Sequence, residues 1–109
     1  MHTIHFLDNH QPEVGAEATT CRKGLKWYNL VNVDNEVNLA HDPEGTIVGR
    51  AVVTKLWFGP FRQVPAIFVD IEQNPACQSY PGLLAAMQKT YENFKDTDLV
   101  TVVSYRRTE

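Results

Sequence analysis

Residues 46–58 restrict the fold more than any other stretch of the chain. The segment has the β-branched and aromatic content of a strand, yet both of its alternating parities are apolar. One carries Ile47, Ala51, Val53 and Trp57, and the other Val48, Val52, Leu56 and Phe58. A strand with one wet face shows a single apolar parity. This one is therefore expected to be covered on both sides, or to line a small barrel. Gly49 marks a place where such a strand can bend or bulge, and Gly59-Pro60 ends it.

Shorter extended segments flank it. Residues 3–7, 17–22 and 36–39 read as strands, and 99–105 has high β-propensity. Residues 9–15, with Pro12 and Gly15, read as a loop. Gly24 breaks the second strand, and 25–33 is rich in aromatic and aliphatic residues. Asp34-Asn35 has turn chemistry, as does 41–45 with Asp42-Pro43 and Gly45. Residues 64–71 read as a further extended piece interrupted by Pro65, and 106–109 as a solvated tail.

One helix is expected. Leu83, Met87, Tyr91 and Phe94 form an apolar stripe, Ser79 can cap its start, and Pro81 suits its first turn. Asp96-Thr97-Asp98 would end it. Six or so strands with one late helix predict an α+β, mostly β fold. The expected form is a small, partly closed β-barrel with one long C-terminal helix across an opening, in a single domain over 1–109.

Composition removes several classes of function. At 43% hydrophobic and 21% charged residues the chain resembles an ordinary globular domain. No apolar run approaches the roughly 18 residues of a membrane span, and residues 1–10 lack the pattern of a secretory signal. The cytoplasm is the expected location. Cys21 and Cys77 are expected to be free thiols. His2, His5, His10 and His41 lack metal-ligand spacing with them, so no metal or other cofactor is expected. A net charge of −3 argues against nucleic-acid binding through the overall field and leaves a local patch as the route.

That patch is Thr20, Arg22, Lys23 and Lys26, with Trp27 and Tyr28 beside it. Cations for phosphate, hydroxyls for polar contacts and rings for stacking are what a nucleotide site needs. Thr20 and Arg22 share one strand face. The plainer reading is a strand entering a solvated turn, with Trp27 and Tyr28 in the core. Glu72 precedes the irregular stretch 73–79 and reads either as a proton carrier or as a surface acid. Cys21 reads as a buried, inert thiol.

Residues 15–24, Gly-Ala-Glu-Ala-Thr-Thr-Cys-Arg-Lys-Gly, resemble the opening signature of activating-signal-cointegrator homology (ASCH) domains, of the PUA-like superfamily. That signature runs Gly, any residue, Lys, two residues, Thr, any residue, Arg. Residues 33–39, 47–53, 83–94 and 99–105 are similar, in order, to the family's turn, central strand, closing helix and closing strand. Asp34-Asn35 stands where Gly-Asp is usual.

The resemblance implies a small barrel with a cleft, and binding of RNA or a modified nucleoside. Arg22, Lys26, Tyr28 and Trp57 would bind the ligand, with Tyr28 or Trp57 stacking a base. It also implies an alternative, hydrolysis of the acetyl amide of N4-acetylcytidine. Thr20 and Glu72 would then be catalytic, and Lys23 would be a nearby cation, though of the wrong strand parity. The family's lysine falls on Glu17, whose charge would disfavour an oxyanion. A third reading is a small protein-interaction domain presenting residues 56–61.

Overall fold

The computed structural model describes residues 1–109. Five strands form one sheet: β1 (His2–Phe6), β2 (Glu17–Lys23), β3 (Glu36–His41), β4 (Thr46–Pro60) and β5 (Leu99–Arg107). Their spatial order is β1-β3-β4-β5-β2, with β1 parallel to β3 and the other pairs antiparallel. The first two strands of the chain are thus the two edges of the sheet. The sheet curls into a half-barrel, so the expected PUA-like architecture stands at the level of a β-dominated, partly closed sheet.

Two bulges help to explain the curl and the double apolar parity of β4. The pairing of β3 with β4 shifts at Leu39/Ala40, and that of β4 with β5 between Val53 and Lys55. An extra residue bends a strand and reverses which parity faces inward. Ala51 and Val53 face the inner core before the second bulge, and Leu56 does so after it. The same shift sends Trp57 to the opposite face, beside Val102. Gly49 sits next to the first bulge, where the backbone carbonyl of Glu109 leaves no room for a side chain.

The inner face carries one core, in which Ile4, Phe6, Leu39, Val53, Val103 and Tyr105 are buried. A second core lies on the other face, between β2, β5 and a three-turn helix, α3 (Tyr80–Thr90). It includes Cys21, Phe61, Leu83, Met87, Phe94 and Val102.

The helices depart from expectation. There are three, not one: α1 (Lys26–Leu30), α2 (Ala66–Val69) and α3 (Tyr80–Thr90). Residues 64–71 are therefore not extended. Pro65 precedes α2 as its N-cap, after a 3-10 turn at Phe61–Gln63. Ser79 caps α3 by accepting from the Gly82 N–H at 3.2 Å, with Pro81 in the first turn. The helix stops at Thr90, short of the stripe's end. Tyr91 is extended, Asn93 takes a left-handed φ of 58°, and the turn still delivers Phe94 edge-on to Phe61 at 5.4 Å. The apolar spacing continues because both segments fill one core, not because one helix does. No helix is long and apolar enough to cross a membrane.

Two further expectations are corrected. Arg106 and Arg107 are not a tail but the end of β5, where Arg107 donates to the Pro12 and Val48 carbonyls at 2.9 and 3.1 Å. Residues 56–61 are not an exposed loop. They end β4 and enter the 3-10 turn. Phe61 is fully buried, and the exposed Phe58 packs on Tyr28 of α1 at 4.6 Å.

The packing of α3 gives a direct check. Met87 is buried in the second core. Met87→Asp would place an unpaired carboxylate there and should cost on the order of 3 kcal/mol or more. A melting temperature equal to wild type would show that α3 does not pack through this residue.

Candidate functional site

The two sheet edges approach each other without joining by backbone bonds. What spans them is Arg22, near the end of β2. Its Nη2 donates to the His5 carbonyl of β1 at 2.6 Å, its Nε donates to Thr20 Oγ1 at 3.0 Å, and its guanidinium lies 5.1 Å from the centre of the Phe6 ring. No carboxylate forms an ion pair with it. Burial pulls its pKa below the ordinary arginine value.

Glu72 reaches the same region by a different route. The Thr19 N–H donates to the Ile71 carbonyl at 3.0 Å, and the Gln73 N–H donates to the Thr19 carbonyl at 2.9 Å, making a one-residue parallel bridge. The Thr19 hydroxyl also donates to the Phe68 carbonyl of α2 at 2.6 Å. These bonds hold residue 72 against β2, with its side chain buried. One carboxylate oxygen accepts from the Asn74 backbone N–H at 2.6 Å. The Asn74 amide in turn donates to Asp8 at 2.5 Å, and its oxygen caps the 3-10 turn Pro75–Cys77. Desolvation raises the Glu72 carboxyl to about 7, with Asp8 adding to the rise. It has no ion-pair partner either.

Between these groups lies a cavity of about 160 Å³, whose wall includes Asp8, Thr20, Arg22, Glu72 and Asn74. Its apolar side is supplied by Leu83, Met87 and Tyr91. A guanidinium with N–H groups to spare and a carboxyl that changes charge near neutrality therefore face one small space. Such a site can donate to a carbonyl, and can either donate to or accept from a second polar group.

Of the candidate residues, the structure brings Thr20, Arg22 and Glu72 to this cavity. It does not bring Lys23, Lys26, Tyr28 or Trp57 there. Lys23 is exposed at the end of β2, Lys26 and Tyr28 belong to α1, and Trp57 packs against the second core. Glu17 also lies outside. Its carboxylate accepts from the Thr54 hydroxyl and pairs with Lys55 at 3.3 Å, and these contacts, Thr54 foremost, lower its pKa. It borders a separate hollow of about 210 Å³ on the far side of Glu72. The expected charge reversal at residue 17 is therefore not felt inside the cavity. Both cysteines are free and buried, and burial pushes Cys21 to about 12 and Cys77 to about 11, as suits inert thiols. Sequence reasoning missed Asp8 and Asn74. Only the Asn-Pro step at 74–75 hinted at either, as a capped turn.

No family model and no curated protein matches the sequence. Among solved structures, the chain is similar to the ASCH domain from Lactobacillus crispatus JV V101. The TM-score is 0.66 at 13% identity, covering 86% of this chain and 65% of that one. It is also similar to a DUF984 protein from Enterococcus faecalis V583, with a TM-score of 0.61 at 16% identity, covering 85% and 64%. The chain spans about 65% of the length of the first of these structures. The fold is ASCH-like.

The raised Glu72 carboxyl sets a pH dependence. The folded state holds this proton more tightly than the unfolded state, so stability falls as pH rises from about 4.5 to about 7. At roughly 1.4 kcal/mol per pH unit the loss is about 3 kcal/mol. Glu72→Gln keeps an acceptor for the Asn74 N–H and removes the titration. It should melt above wild type at pH 8 and level with it at pH 4. A difference that does not vary with pH would mean that Glu72 titrates normally.

Proposed function

We propose that this chain is an ASCH-like module that binds RNA or a modified nucleoside by taking one base into the cavity between β1, β2 and residues 72–74. The observation that carries this reading is a half-buried cation and a buried carboxyl facing one space, neither with an ion-pair partner in the protein. Burying unpaired charge destabilises a fold, and such groups concentrate where a ligand completes them. Arg22 donates to a ring carbonyl, and Glu72 meets an adjacent polar group in either protonation state. Tyr91 offers a ring on the apolar side. Lys23 and Lys26 remain for RNA phosphates outside the cavity, while Tyr28 and Trp57 take no part. The cytoplasm, where thiols stay reduced, suits two buried free cysteines.

Amide NMR titration with nucleosides and short RNA tests this reading. Shifts are expected at residues 20–22 and 72–74. Arg22→Ala and Arg22→Lys should both weaken binding about tenfold or more, because the lysine variant lacks the guanidinium fork. RNA affinity should fall with salt, by about 0.7 in the log–log slope per phosphate contact. A spectrum unchanged by every nucleoside and RNA would exclude the binding reading.

A second reading rests on the convergence of Thr20 and Glu72. Hydrolysis of an N4-acetylcytidine-like nucleoside needs a proton carrier near pH 7 beside the reacting carbonyl, and Glu72 suits that role. Arg22, already bonded to Thr20, would stabilise the oxyanion. No lysine stands where the family has one, so turnover should be slow. Loss of one stabilising donor typically costs about 10² to 10³ in rate. Cytidine release followed by chromatography should be detectable in wild type and absent in Thr20→Ala and Glu72→Gln. Release that survives both substitutions, or no release in wild type, would remove this reading.

A further inference from the structure

The back wall of the cavity is an unfinished β-ladder. In the register of β2 with β5, Arg107 N–H donates to the Ala16 carbonyl and Gly24 N–H to the Leu99 carbonyl. Even-numbered residues of β2 therefore bond to β5, and odd-numbered ones point their N–H and C=O away from it. Thr19 follows this rule, since both its backbone groups are taken by residues 71 and 73. The next odd residue is Cys21. A continuing parallel ladder would give its carbonyl the N–H of residue 75, but residue 75 is proline and has none. The chain turns there into the 3-10 helix Pro75–Cys77. No bond from this segment reaches Cys21.

Thr20, Cys21 and Arg22 all line the cavity, although their side chains alternate between two faces. Three consecutive strand residues do so only when the cavity lies off the strand's edge. The N–H and C=O of Cys21, which point away from β5, thus face the side on which the cavity lies. Residues of α3 line the opposite side.

We propose that the Cys21 backbone edge is the base-reading element of this site, and that it selects a pyrimidine presenting a hydrogen-bond donor next to an acceptor. This deepens the nucleoside-binding reading and rests on it. The strand edge offers one donor and one acceptor side by side, so its complement is an acceptor and a donor side by side. Uracil presents N3–H beside a ring carbonyl, and cytosine presents N4–H beside N3. Purines present similar edges, but a single six-membered ring fits this space better than a fused pair. A cavity of ~150 Å³ holds one benzene ring, and this one, at about 160 Å³, has room for one six-membered ring. The Cys21 side chain points toward the second core, whose Leu83 and Met87 form the cavity's apolar side.

The test compares uridine, cytidine, adenosine and the riboside of pyrimidin-2-one by amide NMR titration of the wild-type chain. The last compound lacks both the N3–H of uracil and the N4–H of cytosine and adds no bulk. Uridine or cytidine should shift the Cys21 amide resonance, and the arm that does so identifies the base. The pyrimidin-2-one riboside and adenosine should each bind at least tenfold more weakly, because the Cys21 carbonyl is then left unpaired or the ring does not enter. If pyrimidin-2-one riboside binds within twofold of the better pyrimidine, or adenosine binds as well, the edge does not read the base. With binding still dependent on Arg22, that result overturns this inference alone. If no nucleoside binds, both the inference and the nucleoside reading fall.

Discussion

The site depends on one side chain crossing a gap that the backbone cannot. A five-stranded sheet that curls but does not close leaves two edges facing each other, and here they are the first two strands of the chain. Arg22 joins them through the His5 carbonyl and the face of Phe6. Taking a guanidinium out of water is costly, and two hydrogen bonds with a cation–π contact offset part of that cost. The remaining N–H groups are what the cavity can use. The bond that shapes the half-barrel also presents the charge, so stability and binding share one residue.

Opposite Arg22, the carboxyl of Glu72 is held by a chain of small polar bonds. Thr19 fixes the backbone of residues 71–73, the Asn74 N–H fixes the carboxylate, and Asp8 fixes Asn74. None of these partners is a cation. A lysine or arginine there would have kept the carboxylate ionised. With neutral donors and another acid nearby, burial dominates and the proton is retained to about pH 7. Arg22 and Glu72 sense each other through the cavity without touching.

The sequence made the strands legible because alternation and β-branching report directly on a pleated surface. It also made Thr20, Arg22 and Glu72 legible as a group, through the ordered resemblance to ASCH domains. The helices were read less well. Continuous apolar spacing at Leu83, Met87, Tyr91 and Phe94 implied one helix, whereas a left-handed Asn93 breaks it and the last ring arrives from a turn. Aromatic residues at 27 and 28 suggested a stacking platform, yet α1 faces Tyr28 to Phe58, away from the cavity. Arg106 and Arg107 looked like a tail because charge usually means solvent. Carbonyls of Pro12, in a loop, and Val48, in β4, instead take the Arg107 fork. In each case the deciding partner lies far along the chain, which no local pattern records. Asp8 and Asn74, sixty-six residues apart, are a further example.

The strand order also bears on how the chain assembles. β2 lies early in the sequence and its partner β5 is the last element, so their pairing closes nearly the whole chain into a loop. Contacts of such separation pay their entropy before they return any stabilisation, and they form late. The β3–β4 hairpin has no such handicap and can nucleate by itself. The cavity therefore comes into being only when the final strand docks. During synthesis it stays incomplete until β5 has left the ribosome, and a nascent chain could not engage a ligand before then.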